Sequence, residues 1–147
     1  MLDSLSLQLC DIQGRLFALA CEQGCASVPF VEAFMRGKTA EALDRPYDRA
    51  QWMGEEYLFE EVDEAAGGLP RTDGILAEDV MYWMGYTYRY WHFYTGESSC
   101  DMYAVADVHV MARVYPGFHT LDVEVAIDRL REMAAEGSDE GSGSAEA

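Results

Sequence analysis

Positive charge is scarce in this sequence. Its 147 residues include 10 Lys and Arg against 27 Asp and Glu, which gives a formal net charge of −17. A surface this acidic repels a phosphate backbone, so direct binding of nucleic acid is excluded as a main function. The same charge favours a protein partner that is basic.

Long apolar runs and paired cysteine motifs are also missing. The most hydrophobic stretch is interrupted by Arg89 and His92, so we expect no membrane-spanning helix. Asp3 stands where a secretory signal would be basic, and no CxxC pair occurs among Cys10, Cys21, Cys25 and Cys100. These absences predict a cytoplasmic protein with reduced thiols and no disulfide framework.

Familiar catalytic motifs do not occur either. His92, His109 and His119 lie in no ExxH or HExxH pattern, which a helical metal site would need. There is no glycine-rich phosphate loop and no GxSxG elbow. We therefore predict a protein that is not an enzyme and that holds no cofactor and no metal.

Hydrophobic residues recur at spacings of three and four along most of the chain, as in Leu5, Leu9, Ile12 and Leu16. This is the period of an amphipathic helix. We predict an all-α, single-domain bundle of about six or seven helices over residues 1–136. The small, acidic residues 137–147 predict a disordered tail. The predicted helical segments are 2–24, 27–37, 39–44, 46–68, 75–96, 97–107, 107–117 and 121–137.

An aromatic-rich helix is the most distinctive feature of the sequence. Residues 82–94 contain eight Phe, Trp and Tyr side chains, and on a helix these point in every direction. A helix that is hydrophobic all round is typical of the centre of a bundle, where Gly85 would let a neighbouring helix approach closely. The many tyrosine hydroxyls need partners there.

Arg89 needs a carboxylate if that helix is buried, because a guanidinium keeps its charge. The helix predicted over 46–68 places its inward stripe at Trp52, Phe59 and Val62, with two glutamates on or beside the same face. We predict an ion pair between one of these glutamates and Arg89, inside the bundle. The predicted internal polar network consists of Glu55, Glu56, Arg89 and His92.

Three motifs carry a resemblance to a known group: "YDRAQWMGEEYLFEEV", "VMYWMGYTYRYWHFYTGESS" and "FHTLDVEVAIDRL". They resemble small, uncharacterised, all-helical bacterial proteins, some of which look like antitoxin partners of neighbouring toxin genes. The similarity covers about residues 29–130. It implies a helical fold, a cytoplasmic setting and a protein partner, and it brings no catalytic motif with it.

These observations predict an acidic protein-binding module, most concretely an antitoxin-like neutraliser of a basic toxin. One alternative is a phage-type mimic of nucleic acid that inhibits a nuclease. Another is a small-ligand protein or enzyme with a Glu/Arg/His/Tyr pocket, and a homodimer could bury the aromatic helix. The predicted partner contacts are Tyr94, Glu97, Tyr103, Tyr115 and Phe118.

Overall fold

The computed structural model describes the backbone of residues 2–146 and the side chains of residues 2–137. This part of the chain is all-helical and has no strand, which confirms the predicted fold class. A 3-10 turn, Arg49–Trp52, precedes the fourth of eight α-helices. The helices are α1 (Ser4–Glu22), α2 (Ser27–Met35), α3 (Lys38–Asp44), α4 (Glu55–Ala65), α5 (Glu78–Thr95), α6 (Ser99–Val105), α7 (Val108–Phe118) and α8 (Val123–Glu146).

Helices α1 and α5 form the central antiparallel pair of the bundle. Gln13 near the middle of α1 bonds to the carbonyl of Gly85, and Cys21 near the end of α1 bonds to the carbonyl of Leu76, just before α5. Gly85 allows this approach: a Cβ built there would lie 2.5 Å from the carbonyl oxygen of Gln13. The neighbouring helix whose close approach Gly85 allows is therefore α1.

The core around this pair is rich in aromatic rings. Phe17 of α1 meets the edges of Phe30 and Phe34 of α2, and Tyr88 stacks on Trp91 within α5. All five side chains are fully buried. Each such ring contributes roughly 1.5–3 kcal/mol through burial alone. The rings of α5 that lie in the core are covered by helices of the same chain, so their burial needs no second copy.

The single long helix predicted over 46–68 is wrong. The chain instead makes the turn Arg49–Trp52, passes through Gly54 and begins α4 at Glu55. Asp48 caps the turn by accepting a bond from the backbone N–H of Ala50. Glycine inside a helical pattern weakens the helix, and here it marks a helix boundary.

Two predicted helix ends also differ from the structure. Helix α7 continues through Pro116 and Gly117 to Phe118. Proline is tolerated there because only one bond near the end of the helix is lost. Helix α8 spans Val123–Glu146, so the predicted boundary between residues 136 and 137 falls inside a helix. The side chains of residues 138–147 lie outside the described part, and the disordered tail stays a prediction.

Candidate functional site

A buried polar network surrounds Arg89, as the sequence predicts, but its carboxylate is a different one. Arg89 is only 1% exposed, and its Nη1 donates to Oδ1 of Asp44 at 2.7 Å. Its Nε donates to Oε1 of Gln13 at 2.7 Å, and its Nη2 donates to the hydroxyl of Ser99 at 3.3 Å. The network therefore joins α1, α3, α5 and α6 around one cation.

Every member of this network is held by another. Both oxygens of Asp44 accept bonds from Ser99, one from its hydroxyl at 2.7 Å and one from its backbone N–H at 2.8 Å. Gln13 donates to the carbonyl of Gly85 at 3.0 Å. Burial lowers the pKa of Arg89, and the adjacent Asp44 carboxylate opposes that shift. A polar network bonded in this way holds the four helices together.

The structure corrects the predicted members of the network. His92 does belong to its edge, since its Nδ1 lies 3.7 Å from Oδ1 of Asp44 and 2.7 Å from the carbonyl oxygen of Glu97. Glu55 and Glu56 do not belong to it. Within the described residues neither bonds to Arg89, and both lie in the first turn of α4, where Glu56 is exposed.

The prediction that Glu55 or Glu56 pairs with Arg89 is wrong because it assumes one continuous helix. A continuous helix over 46–68 would place Trp52 on the same inward stripe as Phe59 and Val62. Phe59 and Val62 are indeed buried, but the turn before α4 changes the register, and Trp52 is 71% exposed. The glutamates between Trp52 and Phe59 therefore face away from the predicted side.

A cavity of about 240 Å³ reaches the outer edge of the network. Asp44 and Ser99 contribute to its wall, but their oxygens already bond to each other and to Arg89. This cavity therefore offers no unpartnered network group to a ligand. Its lining residues are Met35, Arg36, Gly37, Glu41, Asp44, Ser98, Ser99 and Cys100.

The tyrosine hydroxyls find their partners mainly at the margins of the core. Four of them donate to carboxylates on a neighbouring helix, and Tyr88 donates to the carbonyl of Ala106 at 2.6 Å. This arrangement satisfies these five phenols without placing a free charge in the interior. The four pairs are Tyr82–Asp11, Tyr90–Glu124, Tyr94–Asp128 and Tyr115–Asp79.

The five predicted partner contacts are mostly occupied within the chain. Tyr103 is buried, which contradicts its expected exposure. Tyr115 stacks on His119 and meets the edge of Trp83, and Phe118 is half-buried against the core. Glu97 accepts a bond from the indole N–H of Trp91 at 3.0 Å and pairs with Arg131. Of the four aromatic residues, Tyr94 alone is exposed.

The prominently exposed aromatic residues lie elsewhere, in the segment 47–57. Tyr47 is 90% exposed, Trp52 is 71% exposed and Tyr57 is 51% exposed. The chain beneath them is anchored, because the side-chain amide of Gln51 donates to the backbone carbonyls of Leu43 and Arg45. We call residues 47–57 the aromatic segment. Sequence reasoning missed it by extending a helix across Gly54, although that glycine and Pro46 both signal breaks.

Tyr47 adds a conformational outlier to this segment. It has a φ of +63°, the only positive value among the non-glycine residues described. A bulky residue in the left-handed region costs about 1–2 kcal/mol, and such strain tends to occur at functional sites. The chain therefore holds its most exposed ring in a conformation that glycine would adopt more easily.

Unpaired carboxylates lie along α4, from the end of the aromatic segment onward. Glu56, Glu60 and Glu64 are exposed at intervals of four residues, and none has an ion pair among the described residues. Like charges at this spacing repel each other. Arginines pair with carboxylates at other places: Arg15–Asp11, Arg36–Glu32, Arg45–Glu41, Arg71–Asp63, Arg89–Asp44 and Arg131–Glu97.

The thiols of Cys10 and Cys21, near the core, are unreactive at neutral pH. Burial raises the pKa of Cys10 from its ordinary 9.0 to about 12, and burial also raises the pKa of Cys21 to about 11. Both groups are thus protonated at neutral pH, and a protonated thiol is a poor nucleophile. Cys100 is the exposed cysteine, and all four are free.

We expect this burial to make stability fall in alkaline solution. The native state favours the protonated thiol of Cys10, so its contribution is complete below pH 9 and is lost as the pH rises through about 12. Replacing Cys10 with alanine should therefore reduce the slope of unfolding free energy against pH above pH 9. Denaturant titrations at several pH values measure that slope. The control Leu9→Ala should lower stability without changing the slope, and equal slopes for Cys10→Ala and wild type would contradict the argument.

The described residues contain no candidate metal centre and no candidate membrane-spanning helix. No three His, Cys, Asp or Glu side chains among them converge in a way that could hold a metal ion. None of the described helices is both long and apolar enough to cross a membrane. Comparison with known proteins gives no match: no family model fits the chain, and no curated protein or solved structure is similar to it.

Proposed function

We propose that this chain is a binding module for a basic protein, and that it engages its partner through the aromatic segment. The observation that carries the proposal is the exposure of Tyr47, Trp52 and Tyr57 on an anchored stretch of backbone. Tyrosine and tryptophan are enriched at the energetic centres of protein interfaces. Here they lie within eleven residues of one another on a chain that otherwise covers its rings well.

Charge gives the proposal its second element. The net charge of −17 would steer a basic partner toward the protein and would speed their encounter at low salt. The unpaired glutamates of α4 begin at Glu56, at the end of the aromatic segment, and continue along the helix, so carboxylates lie close to the anchoring rings. Neutralisation of a basic toxin is one concrete form of this activity, and a cytoplasmic setting belongs to it, since all four cysteines are free.

Affinity capture from a lysate of the native host tests the proposal when it is done with matched variants. We expect wild-type protein to retain a basic partner at low salt and to lose it as salt screens the charges. The double variant Tyr47→Ala/Trp52→Ala should lose the same partner at low salt. The control Leu5→Ala removes an exposed apolar side chain outside the segment and should keep it. Equal retention by the double variant and wild type would reject the aromatic segment.

Replacing Tyr47 with glycine should separate stability from binding. Glycine adopts a positive φ without strain, so we expect unchanged stability or a gain of up to about 1 kcal/mol in unfolding free energy. The lost ring should weaken partner binding by about tenfold or more. Denaturant unfolding and a binding titration measure the two effects.

Tyr47→Phe is the matched control for this change, because it keeps the ring and the backbone strain. It should bind like wild type. If the glycine variant is clearly less stable than wild type, the strain assigned to Tyr47 is wrong. If Tyr47→Phe loses as much binding as Tyr47→Gly, the ring is not the anchor.

A further inference from the structure

Three adjoining cavities follow α4 where it faces α2 and α3. The end cavities, of about 330 Å³ and 210 Å³, share lining residues with a middle one of about 400 Å³. We call this row of adjoining cavities the acidic groove. Between Tyr57 and Ala66 it follows α4 for about 14 Å, the length of some four extended residues. The middle cavity is lined by Lys38, Tyr57, Glu60, Glu61, Glu64 and Ala65.

The groove combines an apolar floor with a charged rim. Val62 and Ala65 contribute apolar surface to the end near α2, and the half-exposed ring of Tyr57 lies at the other end. Glu60 and Glu64 stand on the rim, exposed and without an ion pair among the described residues. Apolar surface at the ends of the groove, with carboxylates between them, matches a segment in which an aliphatic side chain lies beside cations.

Lys38 is the one cation that lines the middle cavity and the only lysine of the chain, while Arg36 and Arg49 line the end cavities. It is exposed, and among the described residues it bonds to no carboxylate. Glu61 instead accepts a bond from the hydroxyl of Thr39 at 2.7 Å. Around the middle cavity three glutamates therefore face a single lysine, and this part of the rim keeps an excess of negative charge.

We infer that the acidic groove binds a segment of the protein partner in which lysine or arginine residues flank an aliphatic one. This inference rests on the proposed function and names the chemistry that the partner presents. The cations would relieve the repulsion between Glu60 and Glu64, and the aliphatic residue would cover the floor. A second copy of this chain is a poor occupant, because each copy carries a charge of −17.

The test uses the purified full chain and a defined probe. The probe is a peptide of about four residues in which lysine and leucine alternate, a length that fills the groove in an extended form. We expect its addition to shift the amide NMR signals of Thr39, Glu61 and Ala65, and the shifts should vanish at high salt. A peptide with glutamate in place of lysine should leave these signals unchanged. Shifts confined to other surfaces would overturn the inference.

Charge variants on the rim give the sharpest readout. Lys38→Glu should tighten binding of the lysine peptide by about fivefold, and a gain in affinity cannot result from misfolding. Glu60→Gln/Glu64→Gln should weaken it by about the same factor. The matched control Glu132→Gln/Glu136→Gln removes two exposed charges at the same spacing on α8 and should change the affinity least. Equal weakening by both double variants would show attraction to net charge only and would overturn the groove.

The two proposals fail in different ways. If Tyr47 and Trp52 prove essential for partner capture while Lys38→Glu leaves peptide affinity unchanged, the groove inference falls and the aromatic segment stands. If the lysine peptide binds in the groove while Tyr47→Ala/Trp52→Ala captures the partner as well as wild type does, the proposal for the aromatic segment is wrong and the groove inference stands.

Discussion

Replacing Asp44 with alanine is expected to destabilise the fold by about 3–5 kcal/mol. Arg89 is fully buried and keeps its positive charge, so the loss of Asp44 leaves that charge without its counter-ion. The hydroxyl and the backbone N–H of Ser99 lose their acceptor at the same time. Denaturant unfolding monitored by circular dichroism measures the change in unfolding free energy.

Two further variants make this expectation specific. Adding Arg89→Met to Asp44→Ala removes the uncompensated charge, so the double variant should be more stable than the sum of the single losses predicts. Glu41→Ala breaks an exposed ion pair with Arg45 on the same helix and should cost about 0.5 kcal/mol or less. If Asp44→Ala costs no more than Glu41→Ala, the buried pair does not hold the fold together.

Local signals in the sequence account for most of the fold. Helix α1 ends beside Gly24 and α5 ends at Gly96, both in the left-handed conformation that the sequence pattern favours at these positions. The aromatic helix lies at the centre because its rings leave it no polar face, and this too could be predicted. Such signals are contained within single segments, and they hold in the structure.

The partner of Arg89 could not be predicted in the same way. The need for a carboxylate follows from the chemistry of the side chain, but the choice among many acidic residues depends on which helices meet. Asp44 is the last residue of the short helix α3, 45 positions from Arg89, and nothing in its local sequence marks it as buried. Pairing across a bundle is a property of tertiary packing.

The aromatic segment was missed for a related reason. Aromatic residues usually pack, so the spacing of Trp52 from Phe59 predicts an inward position for Trp52. That assignment required one continuous helix, and the break at Gly54 removed the basis for it. The exposed rings are therefore visible only once the chain is folded. They contrast with the rings of the aromatic helix that lie in the core and stabilise it.

Replacing Gly85 with alanine is expected to destabilise the fold by about 1–3 kcal/mol, the second large effect. The added Cβ would lie 2.5 Å from the carbonyl oxygen of Gln13 and 2.8 Å from Cγ of Phe17. Backbone cannot yield as a flexible side chain can, so α1 and α5 must separate. The bond from Gln13 to the carbonyl of Gly85 would be strained in the process, and with it the bond from Gln13 to Arg89.

Gly117→Ala provides the matched control for this change. Gly117 also lies inside a helix, but a Cβ built there meets no atom within 4 Å, and its φ is not positive. Alanine favours a helix over glycine, so this variant should gain up to about 1 kcal/mol. Thermal and denaturant unfolding of both variants measure the difference. Equal stability of the two would mean that α1 and α5 are not in close contact at Gly85. If only Gly85→Ala loses stability, the close packing of α1 against α5 requires that position 85 has no side chain. The Arg89 network depends on that packing.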